Sequence, residues 1–353
     1  MLTIGYDAKR YYHNQTGLGN YSRTLVQDIK DMYPDITPIL YDSKSIERTF
    51  RLGRKAAFDG CRLFHGLSNE LPRDIIKAGI PSVVTMHDVA WRTFPDMYTI
   101  FDRHIYDLKY GWSARNATHV VCISESTKRD VMRFYGVPEN RISVIYQPVQ
   151  KTFYSPMGID EAQKICNRVL PYTQGREYVL TVGSINSRKN LLGIVKAIDA
   201  IPANERPLLI AVGNGREYRT KVERYIEERK LRNYVRIETN IHDTGTLQAL
   251  YRRARCLIYP SFYEGFGLPV VEAALQKCPV ITSNVSSLPE AAGPAAILVN
   301  PNSVKQMADA IRTLMDSSDE CRERGEKAYR YCMERFTPEK LTEEMVNLYR
   351  SLL

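Results

Sequence analysis

The sequence predicts an α/β fold built from two parallel-sheet domains. Three observations carry that expectation. Short apolar runs alternate with amphipathic stretches along the whole chain, which implies parallel strands crossed by helices. The runs number ten, many for one such sheet and natural for two. They also fall into two series, separated by a proline-bearing stretch without periodicity, Gln147-Pro-Val-Gln-Lys-Thr-Phe-Tyr-Ser-Pro156.

In the first series the strands are expected at residues 2–6, 62–65, 82–86, 119–123 and 143–145. In the second they are expected at 178–182, 208–212, 235–238, 256–259 and 279–282. Helical spacing of apolar residues marks 21–32, 126–135, 191–201 and 247–253. A second break at Phe336-Thr-Pro338 precedes a last helix, expected from Glu339 to about Ser351.

Length and composition narrow the class. The 353 residues are 44% hydrophobic and 25% charged, as expected of a soluble globular protein of two domains. No apolar run reaches the ~20 residues that span a bilayer. The start, Met-Leu-Thr-Ile-Gly-Tyr-Asp, reads as a first strand rather than a signal peptide. Seven cysteines, an odd number without a CxxC pair, point to reduced thiols and no zinc site. A cytoplasmic location is therefore expected, and the sequons at Asn14, Asn116 and Asn284 are chance matches. The net charge of +9 is spread over both halves, which fits an anionic ligand or membrane surface better than nucleic acid.

The most informative segment is Tyr259-Pro-Ser-Phe-Tyr-Glu-Gly-Phe-Gly-Leu-Pro-Val-Val-Glu272. A strand ends, a loop carries Glu264, Gly265 and Gly267, and a helix starts near Pro269. Ligands of open α/β sheets bind at the carboxyl ends of strands. The glycines let main-chain N–H groups approach a ligand, and the helix start favours phosphate. Glu264 and Glu272 place two carboxylates at one site, suited to vicinal hydroxyls of a sugar or ribose. The alternative is a glycine-bearing loop with two solvated glutamates.

A second segment, Tyr178-Val-Leu-Thr-Val-Gly-Ser-Ile-Asn-Ser-Arg-Lys-Asn190, repeats strand, glycine, loop and helix. Arg188 and Lys189 are expected at a helix start, where the dipole disfavours cations. An anion between them, such as a diphosphate, would resolve the conflict. The alternative is a pair of surface cations.

Together these segments resemble the GT-B glycosyltransferases, specifically the large retaining family often called family 4, to which glycogen synthase and sucrose synthase are distantly related. Glu264 and Glu272 match its E-x7-E motif. Gly183 with Arg188-Lys189-Asn190 matches its phosphate clamp, and Thr16-Gly-Leu-Gly19 its glycine-rich first loop. Thr85-Met-His-Asp-Val89, Cys122-Ile-Ser-Glu-Ser-Thr-Lys128 and Ser287-Leu-Pro-Glu-Ala-Ala-Gly293 also fit. The resemblance covers nearly the whole chain.

It implies two Rossmann-like domains facing a central cleft and closing over the donor. One is an acceptor-side domain of residues 1–150, with helix 338–353 packed back on it. The other is a donor domain of residues 151–337. The implied partners are a nucleotide-diphosphate sugar and a glycan or lipid-linked glycan, with a mannose-like hexose favoured from surface-polysaccharide relatives. Glu264, His87, Arg188 and Lys189 are the implied catalytic group. Glu264 would hold the transferred sugar, Arg188 and Lys189 the diphosphate, and His87 the sugar or reacting oxygens. Gly17, Gly19, Gly183, Gly265, Phe266, Gly267, Leu268 and Glu272 are implied in donor binding, Glu272 on the ribose. No metal or other cofactor is expected, since no Asp-x-Asp occurs and Arg188 and Lys189 can neutralise a diphosphate.

Three other readings stand beside this one. A nucleotide-dependent dehydrogenase would use Gly17-Leu-Gly19 or Gly213-Asn-Gly215, although Ser22 and Tyr218 replace the third glycine of each. A sugar-nucleotide epimerase of the same fold and a binding-only protein are the others. Residues 44–58 carry five cations and one acid and are expected to form one amphipathic helix. Its Ile46, Phe50, Gly53 and Ala57 share one face, and Arg48, Arg51 and Lys55 another. Such a helix fits either the inner face of an anionic membrane or, with Ile46 and Phe50 packed on the sheet, a solvated basic face.

Overall fold

The computed structural model describes residues 1–14 and 17–353; Thr16 of the first glycine-rich loop lies outside the described residues. The chain divides into two compact units, Met1–Gln150 with Phe336–Leu353, and Lys151–Arg335.

The first unit holds a six-stranded, all-parallel sheet. Its strands are β1 (Leu2–Asp7), β2 (Ile36–Tyr41), β3 (Leu63–Gly66), β4 (Ser82–Met86), β5 (His119–Cys122) and β6 (Ile142–Val144). Their spatial order is β2-β1-β3-β4-β5-β6. The helix Pro338–Ser351 belongs to this unit and packs on the helix Gly17–Met32. Its buried face, Leu341, Met345, Val346 and Tyr349, follows the spacing of one helix side.

The second unit repeats the architecture with β7 (Tyr178–Val182), β8 (Leu208–Val212), β9 (Val235–Glu238), β10 (Cys256–Tyr259), β11 (Val280–Ser283) and β12 (Ile297–Val299). The order is β12-β11-β10-β7-β8-β9, again parallel throughout. Strands of both sheets are nearly continuous apolar runs, as burial on two faces demands; β8, Leu208–Val212, is buried along its length.

Sheet order fixes where ligands can bind. The direction of strand succession reverses between β1 and β3 in one unit and between β7 and β10 in the other. The crevice at the carboxyl ends of such strand pairs is the usual binding place.

Among the described residues twelve strands form, not ten. The two extra ones, β2 and β12, are edge strands. β2 contains Pro38, which a central strand would not tolerate and an edge strand does. β12 has three residues, too short for a periodic signal.

Residues 44–58 do not form one helix. Two short helices, Ser45–Phe50 and Leu52–Phe58, meet at Arg51. Ile46 and Phe50 do not pack on the sheet; they are 74% and 57% exposed. Arg48 is not a solvated cation either. It turns inward, 2.6 Å from Asp7 and 2.7 Å from Glu70. Asp7 ends β1 and Glu70 follows β3, and their charge draws in a cation that the helical pattern assigns to the outer face.

Candidate active site

In the second unit the loops after β7 and β10 flank the switch point, and the charged residues singled out in the sequence converge there. β7 is followed by Gly183, whose φ of 142° is strained for any residue with a side chain. The chain then makes a short 3-10 turn, Ser187–Lys189, capped by the Asn186 side chain, which accepts from the Lys189 N–H at 3.2 Å. Arg188 and Lys189 therefore lie in this turn. The α-helix proper, Leu191–Ala200, begins after Asn190, a buried residue in the left-handed region at φ 61°. Its side-chain amide donates to the carbonyls of Pro301 at 2.7 Å and Pro260 at 3.3 Å. That contact ties the first loop to the second, as does the bond from the Phe262 N–H to the Arg188 carbonyl at 2.9 Å.

The second loop runs from Pro260 to Gly267 and brings Glu264 back over the cations. Glu264 Oε2 is 2.8 Å from Arg188 and Oε1 is 2.6 Å from Lys189. Tyr259 completes the group. Its hydroxyl donates to Glu264 Oε1 at 3.0 Å and accepts from Lys189, whose ammonium also lies 4.7 Å from the ring centroid. Burial alone would raise the Glu264 pKa; the charges of Lys189 and Arg188 outweigh it and hold the carboxyl down to about 2. The conflict of two cations at one loop is thus met here by a buried anion. A recess of about 260 Å³ beside them is lined by Gly183, Ser184, Lys189 and Tyr259.

Gly267, at φ 120°, opens the helix Leu268–Leu275, and a Cβ there would come 2.8 Å from Leu288. The loop is held from behind by hydroxyls. Ser286 accepts from the Glu264 N–H at 3.1 Å, and Ser287 donates to the Glu264 and Phe266 carbonyls, both at 2.8 Å. The Phe266 ring is buried, so its main chain is what the loop can offer to a ligand, along with that of Gly265. Glu272 stands at the fifth position of the helix. It is partly buried and accepts from the Tyr251 hydroxyl at 2.9 Å. Burial pushes its carboxyl up to about 7, with the Tyr251 hydrogen bond acting in the opposite sense.

His87 lies in the first unit, just after β4. Its Nε2 is 2.8 Å from the Leu67 carbonyl, which can only accept, so Nε2 carries the proton. Burial lowers its pKa to about 4, so the ring is neutral at physiological pH with Nδ1 as an acceptor. Its backbone is fixed by Asn69, a buried residue at φ 61° whose side chain accepts from the His87 N–H at 2.8 Å. Tyr21 meets the imidazole edge-on at 4.8 Å.

Gly17 and Gly19 do not sit in an open loop: the helix begins at Gly17 rather than at residue 21. A Cβ on Gly19 would lie 1.8 Å from the Asn14 carbonyl, and the Gly19 N–H already donates to the Asn14 side chain at 3.3 Å. Gly213 and Gly215 have packing roles too. Added Cβ atoms there would meet the Gly183 and Ile185 carbonyls at 1.9 and 2.2 Å. That accounts for the Gly-Asn-Gly without a dinucleotide. Sequence reasoning missed Tyr259 and Tyr251; Tyr251 lies outside both motif-bearing segments, and the role of each depends on which carboxylate its hydroxyl reaches.

Residues 167–331 match the family described as Glycosyl transferases group 1, and residues 43–152 match Glycosyltransferase Family 4. O-antigen chain mannosyltransferase B of Escherichia coli is 30% identical over 295 residues, 82% of this chain and 74% of that protein. The chain belongs to the group 1 glycosyl transferases. O-antigen chain mannosyltransferase RfbU of Salmonella typhimurium is 27% identical over 238 residues, 67% of this glycosyltransferase and 61% of RfbU. Among solved structures, sucrose-phosphate synthase from Thermosynechococcus elongatus has a TM-score of 0.79 at 19% identity, covering 100% of this chain and 99% of its own. Anabaena Alr3699/HepE, solved in complex with UDP and glucose, has a TM-score of 0.75 at 15% identity, with coverage of 99% and 100%. At these identities the likeness is one of fold, and that fold is the GT-B architecture of two Rossmann-like units. A dehydrogenase is thereby set aside.

Proposed function

We propose that this glycosyltransferase moves a hexose, mannose in preference, from a nucleotide-diphosphate sugar to a glycan or lipid-linked glycan, with retention at the anomeric carbon and without a metal ion. The observation that carries the reading is the charged group at the β7–β10 switch point. Two cations there are held beside a buried carboxylate and a glycine-rich helix start. The names of the O-antigen mannosyltransferase relatives support mannose, and the UDP-bound neighbour supports a nucleotide donor.

On this reading the diphosphate takes Arg188 and Lys189 from Glu264, with main-chain N–H groups near Gly183, Gly265 and Gly267 adding donors. The released Glu264 faces the hydroxyls of the transferred sugar. Positive charge fixed at the diphosphate stabilises the departing nucleotide in place of a metal. Glu272, as carboxylate, accepts from the ribose hydroxyls, and Leu268 lies at that helix start. His87 accepts a hydroxyl hydrogen bond at Nδ1. No helix among the described residues is long and apolar enough to cross a membrane. The lipid-linked acceptor is proposed to be met peripherally, at the cytoplasmic face.

A thermal-shift panel of nucleoside diphosphates and their sugars tests the donor class, since a ligand at 100 times its Kd adds about 2.7 kcal/mol of stability. NMR of the product's anomeric centre then tests retention. A panel without any shift, or an inverted product, would refute the reading; donor turnover without acceptor would point to the epimerase.

A further inference from the structure

Two routes lead from Thr85 to His87, both inside the first unit. Thr85 lies on β4, two residues before His87, and is fully buried. Its carbonyl accepts from the Asn69 N–H at 2.9 Å, and the Asn69 side chain accepts in turn from the His87 N–H at 2.8 Å. Its hydroxyl lies 3.0 Å from the Tyr21 hydroxyl, and the Tyr21 ring stands edge-on to the imidazole at 4.8 Å. The first route fixes the backbone of His87. The second fixes what its ring packs against. Side chains two apart on an extended chain share a face, so Tyr21 meets both.

The Thr85 hydroxyl has a further partner. His65 on β3 brings Nε2 to 2.8 Å from it, and Nδ1 of the same ring is 2.6 Å from the Tyr349 hydroxyl. Tyr349 comes from the helix Pro338–Ser351, at the other end of the chain, and meets the His65 ring edge-on at 5.6 Å. His65, Thr85 and Tyr349 are fully buried, and Tyr21 nearly so. Burial lowers the His65 pKa to about 3, with His87 acting in the same direction, so the ring is neutral. It carries one N–H, donates through one nitrogen and accepts at the other. The line Tyr349–His65–Thr85–Tyr21 thus joins two strands to two helices. Apolar side chains would pack these elements together without desolvating any polar group. A buried line of hydroxyls and an imidazole costs free energy unless each member is paired, and in return it sets one orientation for each.

We infer that Thr85, His65 and Tyr349 are positioning residues for His87: their hydrogen bonds hold the Tyr21 ring, and that ring holds the imidazole in the plane its reaction needs. The inference rests on the proposed role of His87 in sugar transfer. Removing the Thr85 hydroxyl leaves Tyr21 and His65 without their shared partner, and the Tyr21 ring is then free to turn. The imidazole keeps its Leu67 bond at Nε2 but loses the wall that fixes the direction of Nδ1. The last helix of the chain thereby acts on the site from a distance, through Tyr349 and without touching substrate.

The test reads His87 directly, by proton–nitrogen NMR of the full chain with isotope-labelled histidine and no substrate. The signals lost in H87Q are those of His87. T85V removes the central hydroxyl from a near-isosteric side chain, and Y349F removes the far one. We expect a single His87 tautomer in the parent, protonated at Nε2. Its signals shift or split in T85V, move less in Y349F, and return in T85S, which keeps the hydroxyl. Kinetics with the mannose nucleotide chosen by the thermal-shift panel reads the consequence. T85V lowers kcat about tenfold, as misplacement of a reacting group does, and leaves the nucleoside-diphosphate thermal shift unchanged. In an H87Q background T85V has no further effect on kcat, because both changes act through one group. If T85V does not fold, Y349F carries both readings. A lowered Tm with unchanged His87 signals overturns the inference, and so does a T85V effect on kcat that persists in full in H87Q. A wild-type kcat in H87Q removes His87 from the reaction, whatever the NMR shows, and takes the inference with it.

Discussion

Donor binding by this protein should strengthen as pH rises towards neutrality, and Glu272 is the cause. In the donor-free protein its carboxyl is pushed up to about 7 from 4.5, because burial outweighs the opposing hydrogen bond from Tyr251. Ribose hydroxyls bind an ionised carboxylate, which offers acceptors only. Below pH 7 the donor must therefore drive off a proton. At pH 5 that costs about 2.7 kcal/mol, or roughly 100-fold in Kd, when the bound carboxyl stays ionised. Stability of the donor-free protein runs the other way. A carboxyl raised from 4.5 to about 7 contributes up to roughly 3 kcal/mol below pH 4.5, lost as pH rises through 7. Calorimetric titration with the nucleoside diphosphate that gives the largest thermal shift, from pH 5 to 8, checks the affinity. Repeating it in two buffers of different ionisation enthalpy counts the protons released. E272Q should bind weakly and lose the pH dependence. A Kd that is flat from pH 5 to 8, or an E272Q profile parallel to the parent's, would refute the assignment.

Arg188→Ala and Lys189→Ala should each lower kcat by roughly 10²–10³, since each removes a cation from the departing diphosphate; steady-state kinetics with saturating donor reads this. Glu264→Ala should lower kcat comparably, and a wild-type rate would remove Glu264 from the reaction. Transfer should persist in excess EDTA, and loss of activity that Mg²⁺ or Mn²⁺ restores would contradict the metal-free proposal. Gly267→Ala should lower the Tm by several degrees, because φ 120° disfavours any residue with a side chain and the Leu288 side chain, 2.8 Å from the added Cβ, would have to shift; an unchanged melting curve would show that the loop can shift.

Fold legibility followed burial. Strands buried along most of their length, such as β4, β7 and β8, show in the sequence as largely apolar runs and form at the expected residues. Edge strands β2 and β12 carry a proline or only three residues, and local pattern has no purchase there. Residues 44–58 mislead for a related reason. Helical spacing shows which side chains share a face, but not that Asp7 and Glu70, distant in sequence, pull Arg48 inward. Glu264, Arg188 and Lys189 could be named from motif and strand-end position. Tyr259 and Tyr251 could not, since their roles depend on which hydroxyl reaches which carboxylate across loops and helices.

The placement of Arg188 and Lys189 gains a second meaning from Glu264. Two cations at one loop call for an anion, and before a donor arrives that anion is the protein's own carboxylate. The carboxylate thus offsets one of the two positive charges, and the buried carboxylate is itself not left unpaired. A diphosphate carries more charge than one carboxylate and offers more acceptor oxygens, so it can take over both cations. Glu264 then loses the partners that hold its pKa near 2 and must find new donors. Tyr259 already supplies one, and sugar hydroxyls can supply others. On the proposed assignment, filling the diphosphate position frees the group that grips the sugar. A nucleoside monophosphate, with less charge to offer, should displace Glu264 less completely and bind less tightly than the diphosphate.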